Sequence, residues 1–342
     1  MRRTGTGDPH RTVRVLVAAL ALVAQLLLTP YGRADATGAD GVGLDGVGLD
    51  DSPVAVGSDG ELFLDLEFEL FCSWRGATLE TGLRRLARLA RLVSASGRRV
   101  VLTVPPAKAL ILRERVAWRD VERRRCARSG MLEQMRVLDT FSDPSYVSLR
   151  QALDRDRRQT YWKTDGHWTS VGATDWTRLL ARELDPALTE HLDYDSGTET
   201  ALGALAGLQG SVVPETVPTA TYSGPVRTVT APGSADELGQ TDPMTTDHSW
   251  VSRPRRLTWP GRTVLIGDSF TLTGLQNLRP LFHRGRYLWT GNVPERTLAK
   301  AIAESDTVVL EVVHLFTYGS PLGTRSFRAL VREELDRGHR AR

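Results

Sequence analysis

Residues 264–270 read Val264-Leu265-Ile266-Gly267-Asp268-Ser269-Phe270, an apolar run that ends in a glycine, an acid and a serine. Such a run is typical of a buried strand, and Gly267 predicts that the strand ends in a tight turn. In α/β enzymes a turn of this kind presents a nucleophile at the edge of the sheet. Ser269 is therefore our candidate nucleophile, and its backbone N–H is a candidate donor to an oxyanion.

A serine hydroxyl needs a base that takes its proton, and the best candidate base lies well before it in the chain. There, within residues 161–169, Asp165 and His167 are separated by a single glycine. Positions i and i+2 of a tight loop allow the acid to lie behind the imidazole, which then points outward. The sequence thus predicts a catalytic triad of Ser269, His167 and Asp165.

A metal site is an alternative use of the same residues. Asp165 and His167 could bind a metal ion, with Asp268 as a third ligand. A further strong donor at a fixed spacing is missing from the sequence, so we favour the triad and expect no dissociable cofactor.

Predicted helices and apolar strands alternate along the chain. From residue 78 apolar residues recur at helical spacing with arginines between them, and Gly97 ends this helix. Unbroken apolar strands are predicted at residues 100–104 and 307–313, and an amphipathic helix closes the chain. This alternation predicts an α/β fold with a largely parallel sheet that helices cover.

Three further residues are candidates for contacting substrate or the oxyanion. Lys108 follows a predicted strand at its carboxyl end, where such sheets build sites, although it could equally be an ordinary loop charge. Trp168 adjoins the candidate base. Asn292 lies just before a predicted helix.

Residues 185–260 lose this long periodicity. Short β-branched pieces separated by Gly, Pro, Asp and Ser predict small hairpins or an irregular insertion, which we interpret as a flap over the site. His248 and Trp250 within it could line a glycan groove or simply decorate the surface.

The N-terminus predicts export from the cytoplasm. Arginines precede an apolar run of residues 15–28, and this is typical of a secretory signal or an uncleaved membrane anchor within residues 1–35. The Gly/Asp-rich residues 36–53 predict a linker before a folded domain at 54–337. Cys72 and Cys126 would then pair as a disulfide, the alternative being two buried thiols.

The charge balance does not favour nucleic-acid binding. The chain has 44 basic and 41 acidic residues and a net charge of +3, and only three of the basic residues are lysine. Basic residues are spread among nearly as many acids, so no strongly basic stripe is expected for phosphate contacts.

The motifs together resemble the SGNH-like domain of the alginate O-acetyltransferases of the AlgX/AlgJ type. The similar stretches are residues 56–63, 105–108, 164–169 with Gly172-Ala173 after them, and 265–270. The resemblance covers roughly residues 54–335. It implies a three-layer α/β/α SGNH hydrolase-like fold with a mainly parallel central sheet, in which the acid and base precede the serine.

The same resemblance implies a function. We expect an extracytoplasmic O-acetyltransferase that acts on an exopolysaccharide or cell-wall glycan through an acetyl-serine. A membrane-bound O-acyltransferase partner is expected to pass the acetyl group outward. The alternatives are a carbohydrate acetylesterase with the same triad and a non-catalytic glycan-binding or assembly protein.

Overall fold

The computed structural model describes residues 53–118, 124–154, 157–237 and 247–340. The predicted signal or anchor, residues 1–35, lies outside these ranges, as does the predicted linker at 36–53 except for its last residue. Within them, no helix combines the length and the apolar composition that crossing a membrane requires.

The described strands and helices alternate as predicted. The strands are β1 Val54–Val56, β2 Leu62–Leu64, β3 Arg99–Thr103, β4 Tyr146–Val147, β5 Tyr194–Ala201, β6 Glu215–Tyr222, β7 Arg227–Thr230, β8 Asp247–Arg253, β9 Trp259–Gly267, β10 Phe282–Trp289 and β11 Thr307–Glu311. The α-helices are α1 Asp65–Ser73, α2 Gly76–Ser94, α3 Lys108–Ile111, α4 Arg124–Thr140, α5 Arg150–Asp154, α6 Arg157–Thr160, α7 Ser170–Leu184, α8 Ala204–Leu208, α9 Ser269–Leu278, α10 Glu295–Glu304 and α11 Arg325–Arg340.

The central sheet has seven strands in the order β4-β3-β11-β9-β10-β8-β7. The strands from β4 to β10 are parallel to their neighbours, whereas β8 is antiparallel to both β10 and β7. The prediction of a mainly parallel sheet is therefore confirmed.

Two apolar cores lie on opposite faces of this sheet. Val264 and Ile266 of β9 belong to one core and Leu265 to the other, because successive side chains of a strand point to opposite faces. Helices α2, α10 and α11 cover the first core, and α1, α4, α7 and α9 cover the second. The fold has the three layers that the sequence predicted.

A disulfide joins two of the helices that cover the second core. Cys72 of α1 and Cys126 of α4 are bonded, with an S–S distance of 1.97 Å. This confirms the predicted pairing and rejects the alternative of two free thiols.

The segment at residues 185–260 is more regular than predicted. Its strands β7 and β8 extend the central sheet. Strands β5 and β6 pair with each other along eight residues, and α8 lies between them in the chain. We call β5, α8 and β6 together the arm; it packs on α7, where the N–H of Ala220 donates to Ser170 Oγ at 3.0 Å.

The topology brings several strand ends to one edge. Because β9, β11 and β10 are parallel, their carboxyl ends meet there. Ser269 follows β9, Glu311 ends β11, and Asn292 lies on the loop after β10. Open α/β sheets build their sites at this edge.

Candidate active site

The turn after β9 presents Ser269 at the first position of α9. Asp268 caps this helix, since its Oδ1 accepts the N–H of Phe270 at 3.0 Å. A Cβ atom on Gly267 would overlap Thr271 Oγ1 and lie 2.6 Å from Glu311 Oε2, so the turn requires glycine. The N–H of Ser269, in the first turn of the helix, donates to no residue that the structure describes and lies at the positive end of the helix dipole.

The candidate base and acid lie directly behind this hydroxyl. His167 Nε2 is 2.8 Å from Ser269 Oγ, and His167 Nδ1 is 2.8 Å from Asp165 Oδ1. The contact with the carboxylate places the proton of a neutral imidazole on Nδ1, so that Nε2 can accept from the serine. The structure thus brings together all three residues of the predicted triad.

Asp165 is fixed on both of its oxygens. Oδ1 accepts the backbone N–H of His167 at 2.9 Å, in addition to its ring contact. Oδ2 accepts the N–H of Ala204, at the start of α8, at 2.8 Å. Part of the predicted flap is therefore attached to the acid of the triad.

The interpretation of Lys108 as a substrate contact is wrong. Its side chain is fully buried, with Nζ 2.8 Å from the carbonyl oxygens of Leu62 and Lys163 and 3.3 Å from that of Asp165. The carboxylate of Glu61 completes the set at 2.9 Å. Because its donors are used in this way, Lys108 holds the loop that carries Asp165 through the carbonyl oxygens of that loop.

Trp168 and Trp250 are also buried instead of facing a ligand. The ring of Trp168 packs edge-on against Phe270 at 5.1 Å and lies 5.0 Å from Trp176. Trp250 donates its indole N–H to the carbonyl of Arg279 at 2.9 Å. Both indoles are 1% exposed, so neither forms the substrate surface that the sequence suggested.

Asn292 is exposed near the nucleophile turn. The loop that carries it begins where the N–H of Thr290 donates to the carbonyl of Gly267 at 2.9 Å. Its role toward substrate or oxyanion stays a prediction.

The charges of the acid and base stabilise each other. Burial would raise the pKa of Asp165, but the neighbouring His167 and the N–H donors outweigh it, so the pKa lies below its usual value. Burial would lower the pKa of His167, yet the charge and hydrogen bond of Asp165 raise it above its usual value. An imidazolium formed during proton transfer is therefore well stabilised.

Comparison with known proteins shows the family of this chain. The family described as "SGNH hydrolase-like domain, acetyltransferase AlgX" matches residues 54–242, more than half of the chain. The chain belongs to this family. The match confirms the predicted resemblance and makes the protein an acetyltransferase of the AlgX family; it includes the loop of Asp165 and His167 and ends before Ser269.

Solved structures share the fold of this AlgX-family protein at low identity. PatB1 of Bacillus cereus is 13% identical, with a TM-score of 0.51, over 73% of this chain and 93% of its own. The O-acetyltransferase domain of Pseudomonas putida AlgJ is 15% identical, with a TM-score of 0.47, over 82% of this chain and 98% of its own. Pseudomonas aeruginosa AlgX is 17% identical, with a TM-score of 0.47, over 82% of this chain and 66% of its own. Of these three structures, PatB1 has a TM-score above 0.5 and shows the shared fold. No curated protein matches the chain.

A second buried acid, which the sequence did not single out, supports the nucleophile turn of this AlgX-family domain. Glu311 is 1% exposed, and its Oε2 accepts the N–H of Asp268 at 2.9 Å and the hydroxyl of Thr271 at 2.7 Å. Burial, and then the charge of Asp268, raise the pKa of Glu311 well above its usual value. The sequence signal that could have identified Glu311 is a single acid at the end of a predicted apolar strand.

The geometry does not support the metal alternative. The two oxygens of Asp268 already accept the N–H groups of Phe270 and Val313, at 3.0 and 2.7 Å. Across the described ranges, no group of three or more acids, histidines or cysteines is arranged to hold a metal ion.

The raised pKa of His167 predicts how activity depends on pH. Only neutral His167 can accept the serine proton, so activity should rise as pH increases through that raised pKa. Asp165→Asn removes the main cause of the rise; the acid limb should therefore move to lower pH, and the plateau should fall about 10⁴-fold. The measurement is kcat/KM for a chromogenic acetyl ester against pH. Asp195→Asn, at an exposed position of β5, is the control. An acid limb that stays in place would contradict this role of Asp165.

Proposed function

We propose that this protein acetylates hydroxyl groups of an exopolysaccharide or cell-wall glycan outside the cytoplasm. The observation that carries the proposal is the 2.8 Å contact between His167 Nε2 and Ser269 Oγ, with Asp165 equally close behind the imidazole. Membership of the AlgX acetyltransferase family supports acetyl transfer as the reaction.

The first half-reaction loads the serine. His167 takes the proton of Ser269 as Oγ attacks the carbonyl carbon of the acetyl donor. The negative oxygen that develops lies at the start of α9, where the unpaired N–H of Ser269 and the helix dipole favour it. His167 then gives its proton to the departing group of the donor, which leaves an acetyl ester on Ser269.

The second half-reaction moves the acetyl group to the glycan. A sugar hydroxyl gives its proton to His167 while its oxygen attacks the acetyl-serine. Collapse of the tetrahedral intermediate breaks the bond to Oγ, and His167 returns the proton to Ser269. Two transfers with one base leave the enzyme unchanged.

The location sets the source of the acetyl group. The disulfide between Cys72 and Cys126 and the predicted signal or anchor support a place outside the cytoplasm. Because acetyl-CoA is cytoplasmic, we propose that a membrane-bound O-acyltransferase supplies the acetyl group. The glycan acceptor is the second partner.

The intermediate gives a direct test. The purified protein is incubated briefly with an activated acetyl ester, digested and examined by mass spectrometry, with and without an oligosaccharide acceptor. We expect one acetyl group on the peptide that contains Ser269, and its passage to the oligosaccharide when the acceptor is present. Loss of the adduct as free acetate in spite of the acceptor would indicate an acetylesterase instead. No adduct and no turnover would indicate a non-catalytic protein.

A further inference from the structure

We infer that Glu215, on the arm, is a positioning residue of the triad: its carboxylate holds the loop before Asp165 and thereby sets the contact between Asp165 and His167. This inference rests on the proposed function, because it assigns a role within the same site. It concerns a side chain some fifty positions further along the chain, which does not touch the reacting atoms.

The carboxylate of Glu215 receives three hydrogen bonds from two consecutive residues. Oε1 accepts the N–H of Lys163 at 2.8 Å. Oε2 accepts both the N–H of Thr164, at 2.8 Å, and the hydroxyl of Thr164, at 2.6 Å. An ionised carboxylate that accepts several N–H and O–H groups forms charge-assisted bonds, which are stronger than neutral ones.

Residues 163–164 are also held through a carbonyl oxygen, by the buried ammonium of Lys108. The carbonyl oxygen of Lys163 accepts from Lys108 Nζ at 2.8 Å and from the N–H of Leu62 at 2.8 Å. Residues 163–164 thus lie between the carboxylate of Glu215, which accepts from their N–H groups, and the ammonium of Lys108, which donates to the carbonyl of Lys163. Little freedom is left for Asp165, the next residue.

The arm meets this loop at a second place through α8. The N–H of Ala204 donates to Asp165 Oδ2 at 2.8 Å, and the N–H of Ala206 donates to the carbonyl of Thr164 at 3.1 Å. A Cβ atom on Gly203 would overlap the carbonyl and hydroxyl of Thr164, so glycine lets the arm approach this closely. The arm therefore packs closely on the loop, and Glu215 is the charged residue through which the arm contacts the loop.

Other contacts hold the arm independently of Glu215. Leu205 and Ala206 of α8 pack with Val54 and Leu62 in a small apolar cluster, which can hold the arm in place without Glu215. Removal of the carboxylate is therefore expected to loosen the loop while the arm stays docked. This separation makes the role of the side chain testable.

The first experiment measures the pH profile of Glu215→Ala. If the loop relaxes, the contact of Asp165 with His167 weakens, the pKa of His167 falls, and the acid limb of kcat/KM for a chromogenic acetyl ester moves to lower pH. We expect the plateau to fall by about 10²-fold, as displacement of a catalytic group by an ångström can cause. Glu199→Ala, an exposed acid on the neighbouring strand of the arm, should leave both unchanged. An unshifted acid limb in Glu215→Ala would overturn the inference, because a loss of folded protein lowers the amplitude only.

A double-mutant cycle asks whether the effect passes through Asp165. In the background of Asp165→Asn, adding Glu215→Ala should lower the rate by less than about threefold, since there is no charged acid left to position. The full 10²-fold loss in that background would overturn the inference. Failure of the proposed function looks different, because Ser269→Ala would then retain the wild-type rate whatever residue occupies position 215.

Discussion

Replacement of Ser269 with alanine is expected to lower the rate of acetyl transfer at least about 10⁴-fold. The variant loses the one oxygen that lies 2.8 Å from His167 Nε2, and no other hydroxyl takes up that hydrogen bond among the described residues. The first turn of α9 keeps its cap, because Asp268 and not Ser269 accepts the N–H of Phe270. Activity should therefore be lost without loss of the fold.

The measurement is transfer of acetyl from a chromogenic ester to an oligosaccharide, together with the free energy of unfolding. Ser196→Ala, at an exposed position of β5, is the matched control and should retain full activity. A Ser269→Ala protein that still works within about tenfold of the wild-type rate would show that the nucleophile is elsewhere.

The proximity of Ser269, His167 and Asp165 could be predicted because each part of the candidate triad has a local signal. Asp165 and His167 share one short loop, and Ser269 follows an apolar strand through a turn that only glycine fits. The alternation of helices and apolar strands predicted the layers for the same reason: the period of a pattern is local. The fold had only to bring the loop of Asp165 and His167 next to the turn of Ser269.

Burial of polar residues could not be predicted in this way. Lys108 was predicted to contact substrate because it follows a strand at its carboxyl end, whereas its partner Glu61 lies far earlier in the chain. Trp168 is enclosed by Phe270, about a hundred positions away. In each case the deciding neighbour is distant in sequence, so composition and spacing carry no signal.

The way in which the strands at residues 185–260 pair could not be predicted for a related reason. Strand β7 lies at the edge of the sheet and pairs with β8, which in turn pairs with β10. Both strands carry polar residues and therefore give no apolar run. The strands of the arm are exposed, and the arm contributes to the site through two residues: the carboxylate of Glu215 accepts hydrogen bonds, and Ala204 at the start of α8 donates one. A region without periodicity thus contains contacts on which the geometry of the acid depends.

Lys108→Met is expected to reduce the free energy of unfolding by about 3–5 kcal/mol, the cost of breaking a buried ion pair by removing one partner. Methionine fills much of the same volume, but it leaves the carboxylate of Glu61 and the carbonyls of Leu62 and Lys163 without the ammonium that they share. The carbonyl of Lys163 keeps the N–H of Leu62, but the largely buried carboxylate of Glu61 is left without its counter-ion.

Chemical denaturation measures this loss, and the chain offers a matched control in its other lysines. Lys300 is 66% exposed and lies 3.7 Å from Glu304, an i,i+4 pair on the surface of α10. Lys300→Met should change the free energy of unfolding by less than about 0.5 kcal/mol, because water screens such a pair. If Lys108→Met costs less than about 1 kcal/mol, the buried ammonium does not support the loop, and Asp165 must owe its position to the arm alone.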